Sequence, residues 1–190
     1  FLKLETRDGT LAFEVRYNIP GLHSDELVSR YLDPKVLIPF ERLLLKTLIK
    51  MLDEQLWSRF YIHISTNTLD FLLKDDFFKR DLNSIYKKII LCIDDYSPNL
   101  EKMIGQLQNY EFKINLNYQN INKINFKILI NEKLNGLFID DGPEERARAL
   151  SIFNAIGFEL LASCKYPDYY NLICRTEEYL KIDELKKIKI

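Results

Sequence analysis

Asp140, Asp141, Glu144 and Glu145 put four carboxylates into six residues of LNGLFIDDGPEERA, directly behind an apolar, strand-like run. Such a cluster has two readings. Carboxylates converging from several strands hold divalent cations and activate water. Acids at a helix start instead face its unpaired N–H groups and dipole, each gaining about 0.3–1 kcal/mol. Pro143 stands at the first position of the helical stretch PEERARALSIFNAI, so the second reading accounts for Asp141, Glu144 and Glu145. Asp140 alone closes the strand. Elsewhere the chain offers no Ser/His/Asp set, no HExxH pattern and, with six glycines in all, no Gly-rich loop to cradle a phosphate. Cys92, between Leu91 and Ile93, reads as a small buried thiol without a neighbouring base. His63, between Ile62 and Ile64, reads as a hydrogen-bonded rim residue rather than a metal ligand.

The elements that must position these groups alternate. FLKLETRDGTLAFEVRYN predicts two strands around a turn at Asp8-Gly9. Ser24 caps SDELVSRYL, and Asp33-Pro34 starts a long helix with Phe40, Leu44, Thr47, Leu48, Met51 and Leu52 on one face. Then come strand FYIHIS, a helix from about 69 to 86, strand KIILCID, and a helix capped by Ser97-Pro98 and running to about Asn109. EFKINLNY and GLFID are further strands; the Pro143 helix ends at Gly157, and FELLAS follows. Strand and helix alternate six times, which predicts parallel strands with crossover helices closed into a barrel. Such barrels usually take about 250 residues, so at 190 residues this one is shortened. The strand ends deliver Glu14, His63, Ser65, Cys92, Asp94, Asp95, Asn115, Asn117, Asp140 and Ser163 to one rim. Of these, Glu14, Asp95 and Asp140 are the acids placed to meet a cation, and three scattered acids make a poor cage.

Composition narrows the setting. With 27 basic and 28 acidic residues the net charge is -1, and no basic stripe tracks a nucleic acid backbone. Three cysteines without CxxC spacing suit a reducing compartment, and the longest apolar run, LLLKTLIKML, carries two lysines and does not span a bilayer. No signal peptide is recognisable, so a cytoplasmic location is expected; a start on FLKLE without Met reads as a trimmed piece.

These residues carry a resemblance. Over residues 1 to about 185 the chain resembles the EAL domain, the fold that hydrolyses cyclic di-GMP. Glu14-Val15-Arg16 stands for the Glu-Ala/Val-Leu motif, His63-Ile64-Ser65 for Asn-hydrophobic-Ser, and Cys92-Ile93-Asp94-Asp95 for Glu-Ile-Thr-Glu. Leu116-Asn117, before Tyr118-Gln119, stands for the paired aspartates. LNGLFID matches Asp-Gly-Leu-Lys-Ile-Asp with Phe138 in place of the catalytic lysine. GFELLASCKY matches the strand ending in Ala-Glu-Gly-Val-Glu with Ser163 and Tyr166 for its glutamates, and Tyr170-Asn171 stands for Gln-Gly.

The resemblance implies an α/β fold: an EAL-like modified TIM barrel, shortened, with one antiparallel N-terminal strand, forming a single domain over residues 1–190. It implies a vestigial pocket of Glu14, His63, Cys92, Asp95, Leu116, Asn117, Phe138, Asp140, Ser163 and Tyr166, without metal, cofactor or catalysis. Arg16 and Lys165 are the new cations expected near its rim. A non-enzymatic regulator that binds a protein is the first implication, and an inactive cyclic di-GMP sensor the alternative. SDELVSRYL, LNYQ and Phe138 are similar to YdiV-type regulators, which implies FlhD of the flagellar activator FlhDC as partner, repression of flagellar genes and motility, and a monomer when free. The aromatic residues Phe77, Phe78, Tyr169 and Tyr170 are either a partner surface or a cover for the barrel end.

Overall fold

The computed structural model describes residues 1–6, 9–16, 33–52, 58–75, 87–110, 112–118, 128, 134–139, 143–162, 172–185 and 187. Among them eight strands close into a barrel in chain order: β1 (Leu2–Glu5), β2 (Ala12–Val15), β3 (Arg59–Ile64), β4 (Ile89–Ile93), β5 (Lys113–Tyr118), β6 (Gly136–Ile139), β7 (Glu159–Ala162) and β8 (Leu172–Tyr179). β1 runs antiparallel to both neighbours, β2 and β8, and every other pairing is parallel. The expected barrel with one antiparallel N-terminal strand is therefore the fold. β8 lay outside the sequence expectation, which ended its strands at FELLAS.

Helices α1 (Pro34–Met51), α2 (Thr66–Lys74), α3 (Leu100–Gln108) and α4 (Pro143–Ile156) surround the barrel, and the short α5 (Ile182–Leu185) follows β8. α1 starts where Asp33 accepts the Lys35 N–H at 2.9 Å and Pro34 occupies the first turn. Its buried stripe is Leu37, Glu41, Leu45 and Leu48, continued by Leu52; Thr47, assigned to the core face from sequence, is exposed. The phase differs because a carboxylate, Glu41, occupies a core position and masks the apolar period. α2 begins at Thr66, earlier than expected, because Ser65 caps it by accepting from the Thr68 N–H. α3 begins after Asn99, since Ser97-Pro98 forms the turn before it, with Leu100 N–H donating to Ser97 O at 2.9 Å. Gly157, at φ 73°, ends α4 as expected.

Alternation along each strand sorts side chains into two cores. Phe13, Phe60, Ile62, Leu91 and Ile114 point out against the helices, while Ala12, Tyr61, Ile90, Cys92, Phe138, Leu161 and Ile173 fill the barrel. Among the described residues no helix is long and apolar enough to cross a membrane.

Candidate functional site

Because β2 to β7 run the same way, residues next to their C-terminal ends meet at one mouth. Glu14, His63, Asn117 and Phe138 are each the penultimate residue of a strand, and Asp94 directly follows β4. Glu14 is 1% exposed. Its carboxylate accepts Arg175 Nε on Oε2 at 2.7 Å, Arg175 Nη2 on Oε1 at 2.8 Å and Arg16 Nη2 on Oε1 at 3.0 Å. His63 Nε2 lies 3.0 Å from the same Oε1, an ion-pair distance off the line of a good hydrogen bond. The other ring nitrogen, Nδ1, bonds Asp94 Oδ1 at 2.6 Å, and Asn117 Nδ2 donates to that oxygen at 3.0 Å. Phe138 supplies the floor: the Arg175 guanidinium carbon sits 4.2 Å from its ring centroid, and His63 meets its edge at 5.8 Å.

The electrostatics follow from this packing. Burial pushes the Glu14 carboxyl up, but the adjacent His63 and the charges of Arg175 and Arg16 outweigh it, and the group is held well below the usual carboxylate range. Burial alone lowers His63, yet Asp94 and Glu14 raise it to about 10. At neutral pH the ring is an imidazolium, with no lone pair to accept a proton. Burial, together with the charges of Asp94 and Glu14, pushes the Cys92 thiol well up, so it stays protonated.

Three sequence assignments are corrected here. Leu116 points outward into the helix-facing core, and Asn115 and Asn117 are the inward residues of β5. Asp95 leaves the mouth: its carboxylate accepts the Thr66 N–H and hydroxyl, each at 2.7 Å, at the start of α2. Asp94 takes the place at the mouth. Arg175, absent from the sequence assignment, is the main cation there, because β8 was not foreseen; the alternation of Ile173 and Arg175 in LICRTEEY was its signal. Glu14, His63, Cys92, Asn117 and Phe138 do line the barrel or its mouth. Asp140, Ser163, Tyr166, Lys165, Phe77, Phe78, Tyr169 and Tyr170 lie outside the described residues.

Two further polar groups were also missed. Glu41, 3% exposed, accepts the Ser65 hydroxyl at 2.8 Å and the Ser65 N–H at 3.2 Å, tying α1 to the start of α2. At the opposite end of the barrel Glu159 accepts the Tyr61 hydroxyl at 2.7 Å and the Asn135 amide.

A pair of divalent cations at such a mouth would need several converging anionic ligands, and the described residues do not supply them. Among them no group of three or more His, Cys, Asp or Glu side chains is arranged to hold a metal ion. The oxygens of Glu14 are already engaged by cationic side chains, which compete with a metal for the same lone pairs.

No family model matches the sequence, and no curated protein matches it significantly. Solved structures do. The EAL enzyme Bd1971, in its cAMP- and cyclic-di-GMP-bound form, matches with a TM-score of 0.63 and 17% identity over 89% of this chain and 55% of its own. The FimX EAL domain from Pseudomonas aeruginosa bound to cyclic di-GMP gives 0.64 and 14% over 88% and 79%. Bacillus subtilis YkuI, with an EAL domain in complex with substrate cyclic di-GMP and calcium, gives 0.63 and 14% over 87% and 48%. The chain thus spans about half the length of Bd1971 and YkuI. These likenesses establish the fold as the EAL-type barrel.

Proposed function

We propose that this chain is a catalytically inactive EAL-like regulatory domain that works by binding another protein. One observation carries the reading: Glu14, the carboxylate retained from the first EAL-like motif, is saturated by Arg175, Arg16 and His63. A divalent ion would have to displace a guanidinium from a buried carboxylate before it met its first ligand. Cys92, Asn117 and Phe138 support the same reading, since a protonated thiol, an amide and a phenyl ring supply neither anionic ligands nor a base. The purified chain, incubated with cyclic di-GMP and Mn or Mg, is expected to form no linear dinucleotide or GMP by chromatography. Metal-dependent hydrolysis lost in Glu14→Gln overturns the proposal.

The partner follows from the resemblance of SDELVSRYL, LNYQ and Phe138 to YdiV-type regulators: FlhD of FlhDC, bound by a monomer, with repression of flagellar genes as the outcome. Co-elution of purified FlhD with the chain, and light scattering of the chain alone, test both statements. If FlhD elutes separately, that partner is withdrawn and the non-catalytic reading stands. A second reading, an inactive cyclic di-GMP sensor, is favoured by Arg175 and Arg16 at the mouth, two guanidiniums suited to phosphate. Calorimetric binding of cyclic di-GMP, lost in Arg175→Met, would put it first.

A further inference from the structure

Outside the mouth, the described surface holds a large apolar concavity. It is a groove of about 670 Å³ along the outer side of α1, with Ile38, Leu43 and Phe71 of α2 as its apolar surfaces and Pro34 and Pro39 beside them. Leu43 is 64% exposed and Phe71 38%, and Val36 on the same helix is 54% exposed. Large apolar side chains grouped in a concavity mark a binding surface more strongly than the same residues scattered singly. Lys35, Arg42 and Lys46 also line the groove, and no described lining residue is acidic. The one carboxylate of α1, Glu41, is turned into the core. Of the three cations, Arg42 is paired with Asp75, which leaves the two lysines at the rim to set its charge.

We propose that this groove receives an acidic amphipathic helix of a partner protein. The proposal rests on the reading of the chain as a protein-binding domain and names the surface that does the binding. Three features select the occupant. From Pro34 to Lys46 the groove follows α1 for about 18 Å, matching roughly three turns of a helix whose apolar anchors recur at i, i+4 and i+7. The barrel is closed, so its sheet has no open edge for an added strand. The basic rim beside an apolar floor pairs with carboxylates flanking those anchors. Arg42 holds the two walls together, bonding Asp75 and lying 5.5 Å from the Phe71 ring centroid.

The test uses the whole chain and a labelled synthetic acidic peptide of about 17 residues with leucines at i, i+4 and i+7, read by fluorescence anisotropy and circular dichroism. Saturable binding with gain of helicity is expected, weakened about tenfold or more by Leu43→Glu and by Lys35→Glu with Lys46→Glu. Since Leu43 is exposed, its variant is expected to keep the parent's melting temperature. A lysine-for-glutamate version of the peptide is expected not to bind. Failure of the acidic peptide to bind, or binding indifferent to Leu43→Glu, overturns the proposal. So does Leu43-dependent binding to phosphatidylglycerol vesicles, which assigns the face to a membrane, or displacement of the probe by a peptide of residues 17–32, which assigns the groove to the chain itself. The hydrolysis assay decides the underlying reading separately. A chain that cleaves nothing and still ignores the peptide fails on this surface alone.

Discussion

Arg175 of β8 grips Glu14 of β2 across the intervening strand β1, its Nε and Nη2 each bonding one carboxylate oxygen at 2.7 and 2.8 Å. The pair closes the polar end of the barrel where antiparallel and parallel pairings meet. Removing Arg175 takes away two of the guanidinium bonds on a buried carboxylate and leaves Arg16 and His63 to offset its charge, so the loss stays within the about 3–5 kcal/mol that breaking a buried pair costs. Arg175→Met is therefore expected to lower the melting temperature by about 6–20 °C, at about 2–4 °C per kcal/mol for a chain of this size. The double variant Glu14→Gln with Arg175→Met is expected to recover part of that loss. A single variant that melts with the parent removes the argument for a charge held by compensation.

His63 gives the fold an alkaline limit. Its value rises from 6.5 to about 10, since Asp94 and Glu14 outweigh the lowering by burial. A group raised on folding contributes stability that is complete below its unfolded value of 6.5 and is lost as pH climbs through about 10. Glu14 is shifted the other way, so its contribution is present above 4.5 and lost only as pH falls through its lowered value. Glu41 and Glu159, raised chiefly by burial, lose theirs as pH rises through their raised values. Comparing melting temperatures of the parent and His63→Asn between about pH 6.5 and 10 isolates the imidazolium. The gap is expected to narrow as pH rises, and a constant gap would rule out its role.

Two glycines separate backbone contact from backbone entropy. A Cβ on Gly136 would stand 2.1 Å from the Glu159 carbonyl oxygen, inside the β6–β7 pairing, where neither strand can yield. Gly136→Ala is expected to be insoluble or strongly destabilised. Gly105 lies inside α3 with nothing within 4 Å of its added Cβ, so Gly105→Ala is expected to gain about 0.5–1 kcal/mol. Both are read from urea midpoints.

Glu41 tests whether a buried acid is structural. It accepts from Ser65 in the core between α1 and α2, and burial leads the rise in its value. Glu41→Leu leaves the Ser65 N–H without this acceptor and is expected to cost about 1–3 kcal/mol. Glu41→Gln, which keeps an acceptor and sheds the charge, is expected to cost less. Equal losses in thermal unfolding would show that the charge itself is needed.

The barrel was legible because six alternations of strand and helix leave few other topologies, and because Pro143, Gly157 and Asp33-Pro34 mark helix ends by local chemistry. β8 was not legible. Its sequence, LICRTEEY, has one apolar triplet followed by polar residues, so its strand character depends on the open edges of β1 and β7 that it fills. Missing it hid Arg175 and with it the chemistry of the mouth. Leu116 was misplaced by one residue of register, which in a strand turns a side chain to the other face, while Asp95 lies beyond the end of β4, where strand alternation no longer assigns a direction. The buried face of α1 was misread for a different reason, since Glu41 looks like a surface residue until Ser65 is brought to it.

The barrel is closed by its final strand: residues 172–179 pair with residues 2–5, so the first and final strands are neighbours in space and distant in sequence. Such a contact cannot form until residues 172–179 have been made, and the long stretch of chain between the partners makes closure slow. Until then β1 has only β2 beside it, and Glu14 has no guanidinium from β8. A chain on which β8 has not yet paired thus carries an open β-edge and a wet carboxylate, and the pairing of β8 seals the cylinder.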